Sequence, residues 1–215
     1  MKKILLLMLV LTLAITALTG CSKKEEVGGF ENTPDIEGIP SIEETKIDKD
    51  DFYESEEETA YTMVQEDGST IYLQEESPGI VKLQMAVAKY GELEESIDYR
   101  TVDGKEIYPI LTEEGQKGYE EADMPDKAID FYNKYKIVQS FAGIEKYDSI
   151  VFEGDTAIVD VDVAFVYEEV ENLADYEVGR TYCIPKTLEF KIVDGEWLLN
   201  MDLDTGQIYE IVNED

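Results

Sequence analysis

The sequence predicts an α+β fold in which helices come first and a curved antiparallel β-meander follows. Three observations carry that expectation. Apolar residues between Ser77 and Phe141 recur every three or four positions, the period of a helix with one buried face. From Ser149 onward the period drops to two, that of a strand. The strand-like segments are joined by Glu153-Gly154-Asp155 and Asp194-Gly195, short connections of the kind that link antiparallel neighbours.

Taken in chain order, Met1-Lys2-Lys3 opens onto an apolar run from Ile4 to Leu18 that only Thr12 and Thr16 interrupt. A charged start and an apolar run form the pattern of a secretory signal. The uncharged stretch of 17 residues is short for a membrane-spanning helix, which needs about 20. It closes on Leu18-Thr19-Gly20-Cys21. These four residues resemble the lipobox of bacterial lipoproteins. The resemblance implies that residues 1–20 are a signal peptide, that Cys21 becomes the first mature residue, and that its thiol carries a diacylglyceryl group. Two or three acyl chains, at ~0.8 kcal/mol per buried methylene, hold a protein on a bilayer where a single chain does not. The expected location is the extracytoplasmic face of the cell membrane, with the membrane itself as one partner. The alternative is an ordinary secretion signal, or an uncleaved helix, with Cys21 unmodified.

Between Ser22 and Thr59 there are 14 acidic and four basic residues, two prolines and few large apolar side chains. Such a composition buries too little surface to offset ordering entropy, so residues 21–59 are expected to be the lipidated Cys21 and a disordered acidic tether. Residues 60–215 are expected to form one globular domain.

Within that domain, Tyr61–Val64 and Ile71–Leu73 flank Asp67-Gly68 as a hairpin. Ser77-Pro78 reads as a helix cap with proline in the first turn, ahead of Ile80, Leu83, Val87, Tyr90, Leu93 and Ile97. A second hairpin is expected to turn at Asp103-Gly104, and a short helix to occupy Thr112–Ala122. A better helix follows Asp123, with Ala128, Phe131, Tyr135, Val138 and Phe141 or Ala142 on one stripe and Gly143 as its stop. Next, Ala157, Val159, Val161, Val163 and Phe165 make the core face of a strand. The acidic stretch Glu168–Gly179 reads as a loop. Leu188, Phe190 and Ile192 share one face of the strand Thr181–Val193, and Pro185 marks a bend or an edge. Trp197, Leu199, Met201 and Leu203 alternate on the last strand.

This order, closing on Phe190-Lys191-Ile192-Val193-Asp194-Gly195-Glu196-Trp197-Leu198-Leu199, resembles the NTF2-like and cystatin-like class of domains over residues 126–205. The resemblance implies a cone whose sheet wraps a cavity. That class holds isomerases, cyclases and dehydratases as well as non-catalytic binding modules, so the fold alone licenses no single function.

Composition excludes more than it assigns. A net charge of −32 opposes nucleic-acid binding, which draws on Lys and Arg. The chain has no His, which removes Ser-His-Asp and Cys-His catalysis and any His-ligated metal. Only Cys183 remains as a thiol in the domain, and it reads as a small buried hydrophobe. Asp160 and Asp162 stand out of phase with Val159, Val161 and Val163, so they are expected to face solvent. Tyr132, Tyr135, Tyr167, Tyr182 and Trp197 are the aromatic candidates for lining a pocket or simply packing, with Tyr132, Tyr135 and Trp197 retained as ligand-binding candidates. Asp202-Leu203-Asp204-Thr205-Gly206 with Glu210 hints at a calcium loop but departs from EF-hand spacing. Neither a catalytic residue, a dedicated metal site nor a cofactor is expected, and the carboxylate excess implies only weak divalent-cation binding. The expected function is a surface-anchored lipoprotein whose domain binds a protein partner or small ligand without catalysis. The alternatives are an NTF2-like enzyme acting on an apolar small molecule, and a short solute-binding lipoprotein.

Overall fold

The computed structural model describes residues 46–47, 49–173 and 176–211. The expected signal peptide, Cys21 and most of the expected tether lie outside the described residues. The described part is α+β, with three helices and one mixed, mostly antiparallel sheet of nine strands. Strands β1 (Glu54–Ser55), β2 (Tyr61–Val64) and β3 (Thr70–Leu73) precede helix α1 (Pro78–Glu95). A short strand β4 (Ile97–Asp98) leads to α2 (Glu113–Glu121) and α3 (Met124–Tyr135). The meander comes last: β5 (Val138–Glu153), β6 (Thr156–Glu169), β7 (Thr181–Val193), β8 (Glu196–Thr205) and the short β9 (Tyr209–Glu210).

The first hairpin turns at Gly68, whose φ of 82° lies in the left-handed region. Its strand β2 then pairs in parallel with β5, the one parallel ladder among the described residues. The sheet order is therefore β1-β3-β2-β5-β6-β7-β8, with β4 against the start of β5 and β9 against the start of β7. Four register irregularities interrupt β5 against β6, the feature that bends a strand and deepens sheet twist. Pro185 sits between the ladder to β8, which ends at Lys186↔Thr205, and that to β9, at Cys183↔Tyr209. A residue without an N–H fits that gap.

The core forms between α1 and the inner sheet face. Ile80, Leu83 and Val87 of α1 meet Val159, Leu188 and Phe190, all fully buried. At ~25 cal/mol per Å² of apolar surface removed from water, side chains of this size contribute about 1.5–3 kcal/mol each. Gly91 lets α1 approach β5, since a Cβ there would lie 2.5 Å from the Phe141 ring. The helix runs through it without a break.

Several expectations need correction. Residues 46–47 and 49–59 belong to the folded unit instead of the tether. Ile47 is buried, with its N–H donating to Gly195 O at 3.2 Å. The Phe52 ring lies 4.9 Å from that of Phe152 and fills the space a side chain at Gly79 would need. Ser77 does not cap α1 with its side chain; its hydroxyl accepts from the Tyr53 N–H at 3.0 Å. Asp103-Gly104 turns no hairpin, because the following segment forms a 3-10 turn at Tyr108–Ile110. Helix α3 ends at Tyr135, with Lys136 left-handed at φ 47°, so Val138 and Phe141 are strand residues and Gly143 lies at a bulge. β-branched and aromatic residues there gain a full ladder with β6, which outweighs a helical spacing. Phe131 is accordingly exposed. Asp162 is only 2% exposed, not solvent-facing: Lys146 Nζ lies 3.2 Å away and the Tyr209 hydroxyl donates to it at 2.6 Å.

Candidate functional site

The apolar stripe of α1, continued from Val87 by seven residues and from Gly91 by four, arrives at Glu94 and Glu95. The last turn of the helix therefore carries two carboxyls toward the interior. Glu95 is 5% exposed, and its Oε2 accepts from Gln139 Nε2 at 2.7 Å. Burial, reinforced by the adjacent Glu94 charge, pushes its pKa up to about 8. Glu94 is half-buried and also raised, chiefly by burial, with the Lys186 ammonium pulling the other way. It forms no ion pair among the described residues.

Facing them from the sheet is a polar knot. Lys186 Nζ donates to Asp202 Oδ2 at 2.9 Å and to Thr205 Oγ1 at 3.1 Å, and the Tyr90 hydroxyl meets the same Asp202 oxygen at 3.3 Å. Burial works against the Lys186 charge, but Asp202 and Glu94 outweigh it and hold its pKa above the ordinary value. Lys186 keeps the inward phase of Leu188 and Phe190. Asp202 reaches the same face by a different route. Leu199 opposes Phe190 and Met201 opposes Glu189, so Asn200 is an extra residue that shifts the phase of β8. Asp202 then stands opposite buried Leu188, whereas Met201 and Leu203 are exposed.

Helix α2 closes over this end of the sheet. Thr112 caps it, accepting from the Gly115 N–H at 2.9 Å and donating to Asn200 Oδ1 at 2.7 Å. Gly115 seats the helix on β8, because a Cβ there would lie 2.7 Å from the Asn200 carbonyl oxygen. Between α2 and β8 remains a groove of about 530 Å³, lined among others by Glu94, Gly118, Tyr119, Lys186, Leu199 and Asp202. Behind it a pocket of about 50 Å³ is walled by Leu93, Ile97, Ile107 and Tyr132. Glu94, Tyr119 and Met124 line both spaces. Burial, with the Glu94 charge next, raises the pKa of Tyr119 and of Tyr132, so both are neutral hydrogen-bonding phenols.

The residues singled out in the sequence separate here. Tyr132 lines the inner pocket. Tyr135 borders neither space; its ring stacks edgewise on Phe131 at 5.1 Å, with Lys134 Nζ 4.6 Å from its centre. Trp197 is 6% exposed and packs on Phe152 at 5.8 Å, while its Nε1 donates to Gly79 O at 3.2 Å. Tyr167 and Tyr182 pack with Phe165 in a second apolar cluster. Cys183 is buried, which pushes its thiol up to about 11 and removes nucleophilic character at neutral pH. Asp160 faces away from the helices, accepting from Ser149 and Thr187 hydroxyls at 2.7 Å each. Asp202–Thr205 is strand, not loop, and Asp202 is committed to Lys186. Among the described residues no group of three or more acidic or Cys side chains is placed to hold a metal ion. None of their helices is long and apolar enough to cross a membrane.

Glu94, Tyr119, Lys186 and Asn200 escaped the sequence reading. For Glu94 and Lys186 a signal existed: each is a charged residue standing in phase with an apolar face. No protein-family model, curated protein or solved structure matches this chain.

Proposed function

We propose that this chain is a lipid-anchored, extracytoplasmic binding protein whose domain is an NTF2-like or cystatin-like cone that takes a small ligand at its open end. One observation carries the ligand-binding part: a groove of about 530 Å³ between α2 and β8 adjoins a smaller pocket among the helices, the two sharing Glu94, Tyr119 and Met124 as walls. Its size falls in the range of small-molecule sites, and its walls combine apolar side chains with a few convergent polar groups. The anchor rests on Leu18-Thr19-Gly20-Cys21 after the apolar run.

The two parts are tested separately. For the anchor, Cys21→Ala is expected to leave the protein unlipidated and to release it from the membrane fraction; a variant that stays membrane-bound refutes it. For the groove, the full-length chain in a non-ionic detergent is unfolded thermally across a panel of amines, carboxylates, sugars, nucleosides and lipids. A ligand that prefers the folded state must raise the midpoint. A panel without a shift, or shifts that survive filling the groove at Gly118, overturns the reading. A second reading, an enzyme acting on an apolar small molecule, is favoured by one observation: Glu94 is a carboxyl on the pocket wall whose pKa burial raises, the direction in which a general base is tuned.

A further inference from the structure

Resting on the groove reading, we infer that the ligand is an organic ammonium whose head group enters between Glu94, Tyr119 and Tyr132 while its carbon chain lies along the groove. Four carboxylates line the larger space, those of Glu94, Glu114, Asp202 and Asp204, against a single ammonium, Lys186. Lys186 is engaged by Asp202, and Glu114 accepts from Lys191 Nζ at 3.1 Å. Glu94, at the neck where the two spaces meet, makes no contact ion pair among the described residues; the Lys186 ammonium acts on it only from a distance and is held by Asp202. A carboxylate withdrawn from water without a partner is costly, and an entering cation removes that cost. An anionic ligand would meet the opposite field.

The inner pocket sets the size and the character of the head group. A single water needs roughly 10–15 Å³ of such space, so about 50 Å³ admits a head group of a few heavy atoms and excludes a ring. Its walls are apolar, from Leu93, Ile97 and Ile107, apart from the carboxylates of Glu94 and Glu106 and the tyrosines. Aromatic faces beside a carboxylate attract an alkylated ammonium, because the ring quadrupole is negative on its face and the alkyl groups accept the apolar wall. Beyond the neck, Met201 and Leu203, both exposed on the groove wall, offer the carbon chain a surface.

Calorimetric titration of the full-length chain in dodecyl maltoside at pH 7 tests this with n-butylammonium, choline, butyrate and n-butanol. Both ammonium compounds are expected to bind, butyrate not at all, and butanol at least about tenfold more weakly, the worth of roughly one ion pair in a partly buried site. Glu94→Gln, which keeps the shape of the side chain, is expected to lower ammonium affinity by about tenfold. Tyr119→Phe, which keeps the ring, retains it, and Tyr119→Leu loses it. Equal binding of butanol, or an unchanged affinity in Glu94→Gln, overturns the ammonium inference while leaving the groove reading intact. Absence of ammonium binding together with a thermal shift by another ligand class has the same meaning. A groove that takes no member of any class overturns both.

Discussion

Replacing Glu95 by Gln tests the electrostatics of the α1 terminus most directly. Glu95 is buried, and its carboxyl is pushed from the ordinary 4.5 up to about 8. Between those limits the folded chain keeps a proton that the unfolded chain has released. Stability is therefore fully present below pH 4.5 and falls as pH rises, by roughly 1.4 kcal/mol per pH unit, levelling off above about 8. The Glu95→Gln side chain cannot ionise, yet its amide oxygen can still accept from Gln139 Nε2. At pH 7 the variant is expected to be more stable by up to about 3 kcal/mol, and the gain disappears below pH 4.5. Glu94 on the same helix, Lys186 on β7 and Asp202 on β8 also act on this carboxyl and remain in both proteins, so the difference between the two curves isolates Glu95. Urea unfolding followed by circular dichroism from pH 4 to 9 measures it. Parallel curves for the two proteins would refute the assignment of a buried, protonated Glu95.

Three further outcomes follow from the packing. Phe52→Ala, in the stretch whose composition reads as tether, is expected to lower stability by about 2–3 kcal/mol in denaturant unfolding, because the ring packs on Phe152. No change would return residues 46–59 to the tether. Gly118 faces open space on the groove wall. Gly118→Leu is expected to raise the thermal midpoint slightly, through about 0.5–1 kcal/mol of helix propensity, while abolishing ligand shifts; a ligand shift that persists would place binding elsewhere. Asp162→Ala removes the partner of Lys146 and Tyr209, both of which can turn to water, so the cost is held to about 1–2 kcal/mol. Amide exchange at Tyr209–Glu210 is expected to quicken, and unchanged exchange would mean β9 does not depend on that carboxylate.

Much of the fold was legible because local periodicity and burial agree. The odd-numbered face of β6 is buried from Ala157 to Phe165, as its alternation with polar partners requires. The first hairpin and α1 likewise lie where turn chemistry and spacing put them. Reading failed where pairing partners are far apart in sequence. Val138 to Phe141 kept a helical spacing but found a ladder with Val166 and its neighbours, 24 or more residues on. Ile47 and Phe52 looked too sparse to order a chain, yet they meet Gly195 and Phe152, contacts that composition does not register.

The candidate site divides in the same way. By itself the sequence determined that α1 carries two carboxyls and β7 one ammonium in phase with apolar faces, since a helix or strand fixes the direction of each side chain from its spacing alone. Only the tertiary structure decided that Asp202 joins them. One extra residue at Asn200 turns β8 over until a second, at Leu203, turns it back, which exposes Met201 and brings a carboxylate inward opposite Leu188. A bulge is settled by the register of the neighbouring strand, so no pattern within β8 could announce it.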